Sequence, residues 1–208
     1  MKSNLRYVCT ALAAGLTLSA AAKAEIVTAY NSFGTDFGYS TSTSRGMGSV
    51  FGPAQHAMSF TAVEGGALSD VYLGLFTIFG GSNITIRLAT NDGFAGPTSA
   101  NVLEQWTLAS LPGSAGAPVT HLVSQLNPVL DAGENYWLWI TVGSGAANWG
   151  QGGLISQESY RTRGSDAAAW SGLSTARASA LRVDVVPAPG AAALLGLGAI
   201  AFGVRRRR

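Results

Sequence analysis

The chain has 208 residues, of which 47% are hydrophobic and 27 are glycine, and its formal net charge is +2. Seven of its thirteen basic residues lie near the two ends, so the region between them carries six arginines, no lysine and eleven acidic residues, a net charge of −5. An acidic body of this kind has no electrostatic footprint for phosphate backbones, which excludes nucleic acid as a predicted partner.

The N-terminus has the pattern of a signal peptide. Two basic residues precede a mostly apolar run over residues 7–22, and Ala22 and Ala24 have the small-x-small spacing of a cleavage site. We therefore predict that signal peptidase removes residues 1–24; an uncleaved N-terminal anchor is the alternative. Cys9 would leave with the signal, so the mature body would have neither a disulfide nor a thiol.

The region over residues 25–186 predicts β-structure throughout. Runs rich in β-branched and aromatic residues recur at about ten-residue spacing with Gly, Pro and Asn turns between them. The main predicted strands cover residues 57–62, 71–79, 84–88, 102–108, 119–123, 135–142 and 181–185. Since the short connections leave no room for crossover helices, we predict an all-β fold: an antiparallel, jelly-roll-like β-sandwich of about eight or nine strands.

Three local patterns complete the prediction for this region. A Gly-Gly-Ser-Asn turn over residues 80–83 separates two strand-like runs and predicts a hairpin. The polar residues 40–49 predict a flexible bridge from an N-terminal strand to the sandwich. Residues 166–170 are the best candidate for one turn of helix.

Two turn motifs of the body carry a family resemblance. The first consists of Asn91, Asp92, Gly93, Gly96 and Pro97, and the second of Leu130, Gly133, Tyr136 and Trp137. With these motifs, residues 57–150 resemble the choice-of-anchor group of bacterial surface domains. The resemblance implies a sandwich-like domain at the cell surface, and it implies no activity.

The body offers little catalytic chemistry. His56 and His121 are its two histidines, and no Gly-x-Ser-x-Gly elbow accompanies them. Glu104 is a single strand acid without the paired carboxylate that glycoside hydrolysis requires. We therefore predict a protein that is not an enzyme and has no cofactor; a secreted hydrolase with an unrecognised site is the alternative.

Calcium is the one metal for which the turns offer candidate ligands. Asn91 with Asp92, and Asp131 with Glu134, place carboxylate and carbonyl oxygens in turns. Asp and Asn in turns mostly bond their own backbone, so we predict no metal site.

Three aromatic residues suggest a second function. Trp149, Tyr160 and Trp170 lie in Gly- and Ser-rich stretches where no predicted sheet face buries them. Exposed rings on a β-sandwich stack on sugars, which would make the body a carbohydrate-binding module for exopolysaccharide. The alternative is that these loop aromatics fold back as plugs over the sandwich ends. In residues 136–139 successive aromatic side chains face opposite sides of the sheet, so one aromatic must be covered or exposed on the outer side.

The C-terminus consists of a proline motif, an apolar run and four arginines. The uncharged residues 188–204 would span roughly 25 Å as a helix at about 1.5 Å per residue, enough for a thin bilayer core. Each terminal arginine would cost about 2.5–3.5 kcal/mol at the membrane centre, so we expect all four to stay on the cytoplasmic side. They are Arg205, Arg206, Arg207 and Arg208.

The motif itself consists of Pro187, Ala188, Pro189 and Gly190. Two prolines one residue apart hold the backbone extended, a shape that a protease can bind. The three-part tail over residues 187–208 resembles the PEP-CTERM sorting signal of Gram-negative and related bacteria. This resemblance implies cleavage at the motif by a membrane-embedded exosortase and transfer to the cell surface or extracellular matrix. Ala188 stands where that family has glutamate; if glutamate is required, the protein would stay tail-anchored.

These patterns together predict an exported protein that passes through an inner-membrane intermediate. Its partners are signal peptidase, exosortase and, before sorting, the membrane. We predict a structural or adhesive role for the body, with polysaccharide binding and hydrolysis as the two alternatives.

Overall fold

The computed structural model describes residues 25–188 except 49, 52–53, 92, 94–95 and 154–156. Over this part of the chain it contains twelve β-strands and the short 3-10 helices Thr35–Phe37 and Ser99–Asn101. The strands are β1 Val27–Asn31, β2 Tyr39–Gly48, β3 Gln55–Thr61, β4 Gly66–Leu73, β5 Leu75–Thr90, β6 Val102–Ser110, β7 Thr120–Val123, β8 Val129–Leu130, β9 Asn135–Gly152, β10 Gln157–Arg163, β11 Ser174–Arg177 and β12 Leu181–Val186.

The strands form two antiparallel sheets. The first sheet has five strands in the order β1-β12-β4-β7, and β8 also pairs with β4. The second has seven strands in the order β11-β10-β3-β9-β5-β6, and β2 also pairs with β9. The prediction of an antiparallel all-β fold is therefore confirmed.

The core lies between the two sheets. Leu68, Val71 and Val183 of the first sheet share one buried cluster with Phe60 and Leu138 of the second. Each such side chain contributes about 1.5–3 kcal/mol when it leaves water. Because side chains alternate along a strand, the opposite set of residues on the second sheet faces outward.

The longest strand, β9, holds the second sheet together. It pairs with β5 on one side and with β3 and then β2 on the other. Its first half directs Leu138 and Ile140 into the core, while Trp137 and Trp139 lie on the outer face in a second small buried cluster.

Three backbone groups join the two sheets at one corner. The backbone N–H of Gly74 donates to the Ala180 carbonyl at 3.0 Å. The N–H of Ala180 donates to the Gly150 carbonyl at 2.8 Å, and the N–H of Gly150 donates to the Gly74 carbonyl at 2.8 Å. A Cβ on Gly150 would lie 2.3 Å from Cδ2 of Tyr39, so this corner requires glycine. The closed ring of hydrogen bonds fixes where the chain passes from β4 into β5.

Several predicted boundaries are wrong. The described part of the predicted flexible bridge, residues 40–48, belongs to β2, which pairs with β9 and buries Met47. The hairpin at residues 80–83 does not exist: β5 runs through it with bulges beside Gly80, and the break falls at Gly74 instead. Residues 166–170 are not helical. The strand count exceeds the predicted eight or nine, since short strands such as β8 and β11 have no apolar alternation.

Candidate functional site

Both ends of the body leave the sandwich at the same place. β1 and β12 are antiparallel neighbours with Val27 opposite Val185. Glu25 therefore lies at the same edge of the first sheet as Pro187, which directly follows β12. Pro187 is half-buried and Ala188 is exposed, so the predicted sorting motif begins directly beyond the last strand.

The other predicted targeting residues lie outside the described part of the chain. These are Ala22, Ala24, Pro189, Gly190, Arg205, Arg206, Arg207 and Arg208. Among the described residues, no helix is long and apolar enough to cross a bilayer.

Two of the three predicted sugar-binding aromatics are core residues. Trp149 has 0% of its surface exposed and donates from Nε1 to the Ala180 carbonyl at 2.9 Å. Tyr160 is 1% exposed, and its hydroxyl donates to the Arg177 carbonyl at 3.0 Å. The prediction that both are exposed loop residues is wrong, because both belong to strands whose partners cover them. Neither ring offers a face to a sugar.

Trp170 is a plug on the outer face of the second sheet. Its ring packs edge-on against Trp139 with centroids 5.6 Å apart, and its Nε1 donates to the Pro97 carbonyl at 2.7 Å. Trp137 is covered in the same way and donates to Asn91 Oδ1 at 3.1 Å. The outer aromatics of β9 are thus covered by folded-back loops. Trp170 is a plug, as the alternative predicted for it, but it lies on the outer sheet face.

Arginines complete this outer cluster. The Cζ atoms of Arg87 and Arg163 each lie 4.4 Å from the Trp139 ring centroid. Gln55 accepts hydrogen bonds from Trp139 Nε1 at 2.8 Å and Arg163 Nε at 2.6 Å, while Asp166 pairs with Arg163 at 2.8 Å. Because these groups satisfy one another, the cluster stabilises the sheet face and leaves little open for a ligand.

A serine, an aspartate and a histidine meet on the outer face of the first sheet. His121 Nε2 donates to Asp70 Oδ1 at 2.7 Å and its ring stacks on Tyr72, while Ser69 Oγ donates to the other oxygen of Asp70. A nucleophilic triad needs the serine bonded to the histidine. Here both bond the carboxylate, so the arrangement is a surface network.

His56 is a buried and unsatisfied histidine. Its side chain is directed inward from β3, 5% exposed, and neither ring nitrogen has a hydrogen-bond partner among the described residues. Burial, together with a smaller contribution from the charge of Arg45, lowers the pKa of His56 to about 4. The ring is therefore neutral at physiological pH and cannot act as a ready general acid.

The predicted calcium turns are occupied by local hydrogen bonds. Asn91 Oδ1 accepts from Gly93 N at 3.1 Å, the backbone bond expected of a turn. Glu134 N donates to the Asp131 carbonyl at 3.2 Å, and Asp92 lies outside the described residues. In the described ranges no three acidic, histidine or cysteine side chains gather as a metal site would require.

Glu104 has a structural role that its sequence position did not indicate. The buried carboxylate accepts hydrogen bonds from Ser124 Oγ and Gln125 N, both at 2.5 Å. It therefore fixes the turn that follows β7.

A polar cleft lies beside the bulge of β2, and we name it the β2 cleft. Ser40 pairs with Gln151 and Ser44 with Gly150, so the residues between them stand out of the ladder. The cleft has a volume of about 360 Å³. Its lining consists of Ser42, Thr43, Ser44, Arg45, Gln151, Arg177 and Ser179.

Sequence reasoning missed this cleft. Arg45 and Arg177 are far apart in the chain, and the polar sequence of β2 is typical of a linker, so the sequence did not indicate that they line one cleft. One signal was available: Arg45 is a lone cation in a Ser/Thr/Gly run within an acidic body.

Comparison with known proteins gave no further assignment. No protein-family model matches the chain, and the searches of curated proteins and of solved structures found no match.

Proposed function

We propose that the protein is an exported cell-surface or extracellular-matrix protein whose body, a jelly-roll-like sandwich, has a structural or adhesive role without catalysis. Signal peptidase removes residues 1–24. The C-terminal apolar segment holds the chain in the inner membrane with Arg205–Arg208 in the cytoplasm, and an exosortase cuts at residues 187–190.

One observation carries the proposal: Glu25 and Pro187 lie at the same end of the sandwich. A chain held by either terminus then presents the rest of its surface away from the membrane. Since β12 ends at Val186 and Ala188 is exposed, cutting after this point removes no strand from either sheet.

The hydrogen bonds and the burial of the titratable groups support the non-catalytic role. His121 and Ser69 both bond Asp70, and the buried Glu104 fixes a turn. His56 is enclosed in the core. Each of these groups is thus either part of a hydrogen-bond network or enclosed in the core.

The proposal is tested by cell fractionation in a bacterium that carries an exosortase. We expect wild-type protein at the surface or in the medium, and a Pro187→Ala/Pro189→Ala double variant retained at full length in the inner membrane. Pro112→Ala, in an exposed loop of the body, is the matched control and should be sorted normally. Wild-type protein confined to the cytosol would refute the proposal.

A further inference from the structure

The β2 cleft is lined by two cations, Arg45 and Arg177. Among the described residues, neither Arg45 nor Arg177 takes part in a salt bridge, although the body carries an excess of acidic residues. Two unpaired guanidinium groups at one concave site create a local positive field that attracts anions. The cleft volume of about 360 Å³ falls within the range of about 300–1,000 Å³ usual for small-molecule sites.

One of the two guanidinium groups is held in position before any ligand arrives. The Cζ atom of Arg45 lies 3.7 Å above the centroid of the Tyr160 ring. The Tyr160 hydroxyl in turn donates to the Arg177 carbonyl and accepts the backbone N–H of Ser179. A guanidinium group held over the ring can present N–H groups as a planar fork, the geometry that matches a carboxylate. Because Arg45 is already ordered, binding costs less side-chain entropy.

The rest of the lining is suited to hydroxyl groups. Ser42 Oγ is 3.1 Å from Ser40 Oγ, and Ser40 Oγ also accepts from Thr43 N at 3.1 Å, so the bulge is ordered from within. The side chains of Ser44 and Gln151 make no hydrogen bond to other described residues. Serine hydroxyls and the glutamine amide each donate and accept, as sugar hydroxyls require of a partner.

We propose that the β2 cleft binds a carboxylate-bearing saccharide, such as a uronic-acid segment of an acidic polysaccharide. Arg45 and Arg177 bind the carboxylate, and Ser44 and Gln151 bond the ring hydroxyls. Among the described lining residues none is aromatic, and Arg45 covers the Tyr160 ring. Recognition therefore depends on charge and hydrogen bonds instead of stacking, so a neutral sugar lacks the main contact. The extracellular origin of the ligand depends on the proposed export. The binding of the ligand by the cleft does not depend on it.

The test is a titration of the full chain, purified in detergent, with tri-galacturonate by isothermal calorimetry. We expect saturable binding that weakens as salt rises, and no binding of the uncharged maltotriose. Arg177→Gln removes an exposed guanidinium without touching the core and should weaken binding at least about 10-fold, the effect of losing one charge-assisted hydrogen-bonding group. Arg87→Gln, the same charge change on the outer cluster, is the matched control and should bind like the wild type.

Three results would overturn the inference. The first is equal affinity of the wild type and the Arg177→Gln variant. The second is equal affinity for maltotriose and tri-galacturonate. The third is sulfate binding as tightly as tri-galacturonate, which would make the site one for a simple anion only. Because the titration uses purified protein, none of these results depends on where the cell sends the chain, so export can fail or succeed separately.

Discussion

Val27 lies directly opposite Val185 in the ladder between β1 and β12, so the first and last strands of the body are neighbours. This pairing has a mechanical consequence. The strand that follows the predicted signal peptide and the strand that precedes the predicted sorting motif support each other in the first sheet. If the chain is exported as proposed, the first sheet can be completed only after its C-terminal strand has crossed the membrane.

The glycine corner makes a strong prediction about stability. In a Gly150→Ala variant the new Cβ would meet the Tyr39 ring at 2.3 Å and the Ser40 carbonyl at 2.9 Å. Relief of such overpacking requires backbone shifts that cost about 1–3 kcal/mol. Urea unfolding followed by fluorescence measures the loss. Gly164→Ala is the control, because a Cβ there meets nothing within 4 Å, and an equal effect of both substitutions would contradict the account.

Trp149 and Trp170 should differ in their effect on stability. Trp149→Ala empties a core site and leaves the Ala180 carbonyl without its Nε1 donor, and we expect a loss of about 3–5 kcal/mol. Trp170→Ala removes a half-buried plug and should cost less while exposing Trp139 to acrylamide quenching. Thermal unfolding and quenching of the two variants check this. A Trp149→Ala protein as stable as the wild type would contradict the core position.

His56 should make the protein less stable in mild acid. Its folded pKa, about 4, lies below the ordinary 6.5, so the unfolded chain binds a proton between these values while the folded chain does not. The free energy of unfolding therefore falls as the pH drops from about 6.5 to about 4, by on the order of 3 kcal/mol. In a His56→Leu variant this slope should be largely absent in urea titrations across the range. An unchanged slope would exclude His56 as its source.

Ionised Asp70 should also stabilise the fold, and this contribution should be lost as the pH falls, in a lower pH range than the effect of His56. Burial raises the pKa of Asp70, but hydrogen bonds from Ser69 and His121 outweigh it, so the net shift is below the ordinary 3.8. Such a carboxylate stabilises the fold above its unfolded pKa, and the contribution disappears as the pH falls through the folded value. We expect Asp70→Asn to be less stable than the wild type at neutral pH, with a gap that closes in strong acid. Glu64→Gln, at an exposed acid, should show no such gap.

The sequence predicted the half of the fold in which packing dominates. Strands β3 and β12 contain the runs Met58-Ser59-Phe60 and Val183-Asp184-Val185, in which apolar and polar residues alternate, and this pattern is local. Alternation along β9 also predicted an aromatic residue on the outer side of the sheet, but it did not indicate that this residue is Trp139 or that it is covered. The arginines that stack on that ring, Arg87 and Arg163, come from distant strands and could not be inferred from spacing.

The parts of the fold that the sequence did not predict depend on pairing between strands that are distant in the chain. Residues 143–152 contain glycine and alanine where a strand pattern would have large apolar residues, so they read as a loop. They form the second half of β9 because β5 and β2 supply hydrogen bonds on both sides. Gly150 is small because Tyr39 crosses it. For this reason Trp149 was predicted on a loop, and the β2 cleft was not predicted at all.

The most direct test of the proposed export and sorting is the intact mass of the protein recovered from its natural host. The account predicts a chain in the surface or extracellular fraction that begins at Glu25 and ends between Pro187 and Gly190. A chain recovered from the cytosol with both Met1 and Arg208 still present would contradict it.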